Sequence, residues 1–96
     1  MKETSIEIEY RNGFNEIDNH EMPSKGYRND ITVKCPTGKK YNLSFYDPIR
    51  LNQDIEEEEY IFEQNLIVIK NLTKDDIQNA VNRMWEIGFF DKLKEV

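Results

Sequence analysis

The sequence predicts an α+β protein: a mostly antiparallel sheet of four to six strands, with one C-terminal amphipathic helix (Thr73–Ile87) on one face and a short helix after Asp47-Pro48. Three observations carry this reading. I-T-V-K-C and Y-N-L-S-F-Y alternate apolar and polar residues on either side of P-T-G-K-K. Ile77, Ala80, Val81, Met84 and Gly88 recur at helical spacing, with Asn79, Asn82, Arg83 and Glu86 opposite. The elements follow in the order strands, short helix, strands, helix, without repeats or low-complexity tracts. Ninety-six residues make room for one domain.

Taken in order, Ser5 to Tyr10 puts Ile6, Ile8 and Tyr10 on one face of a strand and Glu7 and Glu9 on the other. Arg11-Asn12-Gly13 offers a turn, because Asn-Gly accepts positive φ, and a short strand over Phe14 to Ile17 is expected after it. Residues 18–30 read as a long loop, with Pro23, Gly26 and several Asn and Asp, and no periodicity. A hairpin follows. Ile31, Val33 and Cys35 share one face with Tyr41, Leu43 and Phe45, while Thr32, Lys34, Asn42 and Ser44 face water. By the same alternation Tyr46 points outward.

Asp47 is a good N-cap and Pro48 suits the first helical position. Leu51 and Ile55, four apart, share a helical face. The expected helix ends near Ile55 or Glu56, because acids at a helix C-terminus oppose the macrodipole by about 0.3–1 kcal/mol each. Glu56–Glu59 then form an extended bridge into Tyr60. Y-I-F-E and L-I-V-I-K read as two strands or one bulged strand, the run Leu66–Ile69 suggesting a central strand covered on both faces. Thr73-x-x-Asp76 resembles a capping box, Gly88 suits a helix end, and Phe89, Phe90 and Leu93 form an apolar tail folded onto the core.

Net charge is −6, and its distribution is uneven. Residues 1–46 carry seven acids and seven bases, whereas 47–96 carry twelve acids and six bases. Residues 47–63 alone hold seven acids against Arg50. Such a field disfavours nucleic acid and favours a basic partner. The one cysteine, Cys35, excludes a disulfide within the chain and sits where a small buried hydrophobe belongs. No basic-then-apolar N-terminal segment marks a signal peptide, and no run approaches the ~20 apolar residues of a membrane helix. A soluble cytoplasmic protein is the expectation, with no membrane partner. The many Ile, Asn and Lys residues fit an AT-rich bacterial genome.

No motif specifies a reaction. Serines 5, 24 and 44 lack a G-x-S-x-G context, and the four glycines are scattered, so no phosphate loop or dinucleotide fingerprint is present. His20 sits in D-N-H-E, but one His and a distant Cys cannot make a zinc site. D-I-E-E-E-E lacks the alternation and central Gly of a calcium loop. No cofactor is implied. The leading expectation is a non-enzymatic protein-binding module for a partner with a basic surface, an inhibitor or immunity-type protein being one form. Its candidate interaction residues are Tyr46, Glu56, Glu57, Glu58, Glu59 and Tyr60. The alternatives are a self-associating structural domain, pairing through an exposed sheet edge, and a small ligand-binding domain or enzyme. That last reading uses His20 with Glu16, Asp18 or Glu21 under the 18–30 loop.

Overall fold

The computed structural model describes residues 6–96. It is α+β, with a four-stranded mixed sheet and three α-helices. The strands are β1 (Glu7–Tyr10), β2 (Tyr27–Lys34), β3 (Lys40–Tyr46) and β4 (Leu66–Val68), side by side in chain order. The helices are α1 (Glu16–Lys25), α2 (Pro48–Glu58) and α3 (Lys74–Glu86), followed by a 3₁₀ turn at Phe89–Lys92. β1–β2 and β2–β3 are antiparallel, whereas β3–β4 is parallel. The parallel pair arises because the chain between β3 and β4 crosses over through α2, as parallel neighbours require.

The hairpin forms as the alternation predicts. Cys35 N–H donates to Lys39 O and Gly38 N–H to Cys35 O, both at 2.9 Å, closing the Pro36–Gly38 turn. Ile31, Val33 and Cys35 of the β2 side and Tyr41, Leu43 and Phe45 of β3 are all buried on one face. Leu72, together with Ile77, Val81 and Met84 of α3, packs against them, and Phe90 of the 3₁₀ turn closes the end. Trp85, Phe89 and Leu93 are half-buried around this cluster. Thr73 caps α3 by accepting from Asp76 N–H at 3.0 Å, and Gly88 just beyond it is left-handed at φ 74°. In β1, Ile8 and Tyr10 lean on the core while Glu7 and Glu9 face water. Ser5, the expected start of that strand, lies outside the described residues.

The expected strand over Phe14–Ile17 and the loop over 18–30 are replaced by α1 and the first residues of β2. Asn15 accepts from Asp18 N–H at 3.0 Å, and the Asp18 carboxylate accepts from Asn15 N–H at 3.1 Å, a complete capping box. Gly26 ends the helix at φ 67°, with its N–H on Met22 O. The helix buries one side chain, Met22, and carries Pro23 within it. The sequence does not announce this helix, because α1 has no apolar stripe and proline normally breaks a helix interior. The Arg11–Gly13 turn forms, with Gly13 N–H on Tyr10 O at 2.8 Å, but it leads into a helix cap rather than a second strand.

The expected central strand over 66–69 is instead the edge strand β4, three residues long, with Val68 exposed. Residues 60–63 are not a strand. β4 covers only residues 44–46 of the β3 edge. The 40–42 end is met by the C-terminus, where Tyr41 bridges Glu95 and Val96 N–H donates to Lys40 O. Asn65, left-handed at φ 56°, stitches the two halves by donating to Asn42 O and Lys94 O and accepting from Lys94 N–H.

Arg28 ties α1 and the Arg11–Gly13 turn to β2. A bulge between Arg28 and Ile31 shifts the register there. The guanidinium donates to both Asp30 carboxylate oxygens and to Gly13 O, and it faces Asp18 at 3.7 Å. Burial pushes the Asp30 carboxyl up, but donation from Arg28 and from Asn12 N–H, with the guanidinium charge, outweighs it and holds the group below its ordinary value of 3.8.

Arg28→Met leaves the Asp30 carboxylate buried and unpaired, and chemical denaturation should show a loss of about 3–5 kcal/mol. In the parent protein, the native state binds fewer protons at Asp30 than the unfolded chain does. Its contribution should be complete above about pH 4 and lost as the pH falls through the lowered pKa, and denaturation across pH 2–6 measures it. Gly26→Ala should cost about 2 kcal/mol, combining a left-handed non-glycine residue with displacement of a helix cap. A Cβ there would stand 2.6 Å from an Asp47 carboxylate oxygen.

Candidate interaction surface

The acidic segment is held on the sheet face opposite the core. Phe45 enters the core; Tyr46, one residue on, faces the other way beside Tyr27, its cross-strand neighbour, with rings 4.5 Å apart. α2 then folds back over this end of the second face. Asp47 caps it by accepting from Arg50 N–H at 2.8 Å. Arg50 lies 5.5 Å from the Tyr27 ring centroid, pairs with Asp54 at 2.9 Å and donates to Lys25 O at 3.1 Å.

Tyr46 does not point freely into solvent, as the alternation alone suggests. It is 3% exposed, and its hydroxyl donates to Glu63 Oε2 at 2.5 Å. Alternation assigns it correctly to the second face, but α2 and residues 60–63 roof that face here. Burial first, then the Glu63 hydrogen bond and charge, push the Tyr46 hydroxyl far above the ordinary tyrosine range. It stays protonated and anchors the segment from below.

The helix runs further than the electrostatics of its end suggests. Glu56, Glu57 and Glu58 are helical, not an extended bridge, and Glu59 ends the helix at φ 74° with its N–H on Ile55 O at 2.7 Å. The Arg50–Asp54 pair, one turn apart, and the capped N-terminus offset part of the unfavourable charge at the C-terminus. All four glutamates are exposed, and among the described residues none forms a salt bridge.

Beyond the helix, side chains alternate. Ile61 and Glu63 turn inward and are half-buried, while Tyr60 and Phe62 turn outward. Tyr60 is 62% and Phe62 87% exposed, with rings 5.0 Å apart. They line a depression together with Tyr46, Asp54, Glu58, Ile61 and Glu63. Of the residues the sequence suggests, Tyr46, Glu58 and Tyr60 line this depression, joined by Phe62; Glu56, Glu57 and Glu59 are exposed beside it on the end of α2. The signal for Phe62 lies in the sequence, an aromatic two positions beyond Tyr60 at the end of the acidic run, but Y-I-F-E reads as a strand.

The His20 region is different. His20 is exposed on α1. A second depression beside that helix is lined by Asp18, Glu21, Lys25, Arg28 and Asp30, but not by His20. Its floor is the Arg28–Asp30 pair, whose hydrogen bonds are already used within the fold. Among the described residues, no group of three or more His, Cys, Asp or Glu is placed to hold a metal ion, and no helix is long and apolar enough to cross a membrane.

Glu59 occupies a conformation that favours glycine, at the end of a helix that favours positive charge. Glu59→Gly should raise stability by about 0.5–1 kcal/mol in thermal or chemical unfolding, the relief of strain exceeding the added unfolded-state entropy. Compared with known proteins, the chain matches no family model, no curated protein and no solved structure.

Proposed function

We propose that the chain is a non-enzymatic protein-binding module that presents α2 and residues 59–62 to a protein with a basic surface. The observation that carries this reading is the pairing of two exposed aromatics, Tyr60 and Phe62, with four exposed glutamates that form no salt bridge among the described residues. Charge alone solubilises, and an aromatic alone is ordinary surface. Together they supply what a docking face needs: long-range attraction and apolar area to bury. Covering a side chain such as Phe62 is worth roughly 1.5–3 kcal/mol. Tyrosine adds a polar tip that tolerates exposure in the free protein.

The energetics of α2 bear on the same surface. The helix keeps acids at its unfavourable end and a glutamate in a left-handed cap, although glycine and lysine would suit both positions better. Such a cost is compatible with use of this surface, as it is with a fold stable enough to carry it. A role as an inhibitor that masks a basic enzyme suits the size and charge of the chain, by general type only.

The test is affinity capture with the immobilised full chain at low salt. A partner should be retained by the parent and by a control carrying Asp75→Lys and Glu86→Lys on α3. It should be released as salt rises and lost when Glu56–Glu59 are all changed to lysine. Capture that survives this fourfold reversal would sink the proposal. Light scattering on the parent and the reversed variant separates a second copy of the chain from a different partner.

A further inference from the structure

Twice the fold closes an aromatic pair and a carboxylate around an arginine. Tyr10 and Phe14 stand 4.8 Å apart, and the Arg28 guanidinium lies 5.0 and 5.4 Å from their centroids while Asp30 accepts its hydrogen bonds. Tyr27 and Tyr46 stand 4.5 Å apart, and Arg50 lies over Tyr27 while Asp54 pairs with it. Tyr60 and Phe62 form another such pair, in a depression completed by Glu58 and Glu63. Among the described residues no lysine or arginine stands over either ring or pairs with either carboxylate.

We propose that this depression takes an arginine side chain of the partner, its guanidinium against the Tyr60 and Phe62 rings and its N–H groups on Glu58 and Glu63. The inference rests on the reading of this surface as a docking site for a basic protein, and it names the group that docks. The chemistry separates arginine from lysine. A guanidinium is planar and weakly hydrated, so it stacks on a ring and still donates sideways to a carboxylate. An ammonium is a compact, strongly hydrated charge. It answers the Glu56–Glu59 field as well as arginine does but gains less from the rings.

The site is also partly pre-ordered. Glu63 Oε2 accepts the Tyr46 hydroxyl, which holds the carboxylate in place and leaves Oε1 for an incoming donor. Fixing an acceptor before binding lowers the ordering cost of the contact. Asp54 lies in the same depression but is already paired with Arg50, so Glu58 and Glu63 are the carboxylates left to a partner.

The full chain, isotopically labelled, can be titrated at low salt with two peptides of equal charge, Ac-(Gly-Arg)₄-NH₂ and Ac-(Gly-Lys)₄-NH₂. The arginine peptide should bind about two- to fivefold more tightly, with the largest amide shifts over residues 58–63. Phe62→Ala and Tyr60→Ala should bring its affinity down to that of the lysine peptide and leave the latter unchanged. Both side chains are mostly exposed, so neither variant threatens the fold. Glu57→Lys should weaken both peptides alike. Equal affinities, or an arginine preference that survives Phe62→Ala, would overturn the arginine site while leaving the basic-partner reading standing. Binding of neither peptide would overturn both.

Discussion

Asp47 joins three parts of the molecule at one point. Its N–H donates to Gly26 O at 2.9 Å, its carboxylate accepts from Arg50 N–H, and it lies against Gly26 where any side chain would collide with it. β3 ends, α2 begins, and the end of α1 is held against the start of α2, where Arg50 also takes Lys25 O. β3 is fixed laterally by β2 on one side and by β4 with the C-terminal segment on the other. The exit direction of the chain at Asp47 is therefore set, and it sends α2 across the second face of the sheet. The position of the acidic segment is a consequence of this junction.

The two faces of the sheet obey different rules. The core face is apolar and is closed by α3, with Ile31, Val33, Leu43 and Phe45 fully buried. The second face is polar over most of its area. Arg11 donates to Thr32 and Asn42, and Thr32 donates to Asn42, so this part is satisfied without a covering layer. Only at the Tyr27–Tyr46 end does the second face bury aromatic rings, and there α2 forms the roof. A helix resting on two tyrosines buries little of its own surface: α2 has no fully buried residue. Ile49 and Ile55, the glutamates and the two aromatics that follow remain open to solvent.

This arrangement connects stability with recognition. The fold uses arginine twice to bring an aromatic pair and a carboxylate together, and both arginines hold separate segments in register. Arg28 joins the Arg11–Gly13 turn and α1 to β2, and Arg50 joins α2 to α1 and β2. Tyr60, Phe62, Glu58 and Glu63 present the same chemical groups without the cation. The proposed docking surface would thus repeat a grouping that holds the fold together, with the cation supplied by the partner.

The sequence by itself determined whatever follows from local periodicity and capping. The hairpin faces, the α3 stripe with its Thr73 cap, the Asp47-Pro48 start of α2, and the concentration of charge in 47–63 could all be read from residue order. These depend on side-chain alternation and on bonds spanning three or four residues. Tertiary structure decided the rest. α1 lacks an apolar stripe, so only its Asn15–Asp18 box and Gly26 marked it, against a proline pointing the other way. The parallel pairing and edge position of β4 depend on a crossover that no local pattern encodes. Tyr46 shows the limit most directly: alternation assigned it to the second face, but its burial depends on α2 folding back over that face. The same fold-back raised Phe62, rather than Tyr46, to the surface beside the glutamates. A residue's face is a local property of the strand, whereas what covers that face is set by chain that returns from elsewhere.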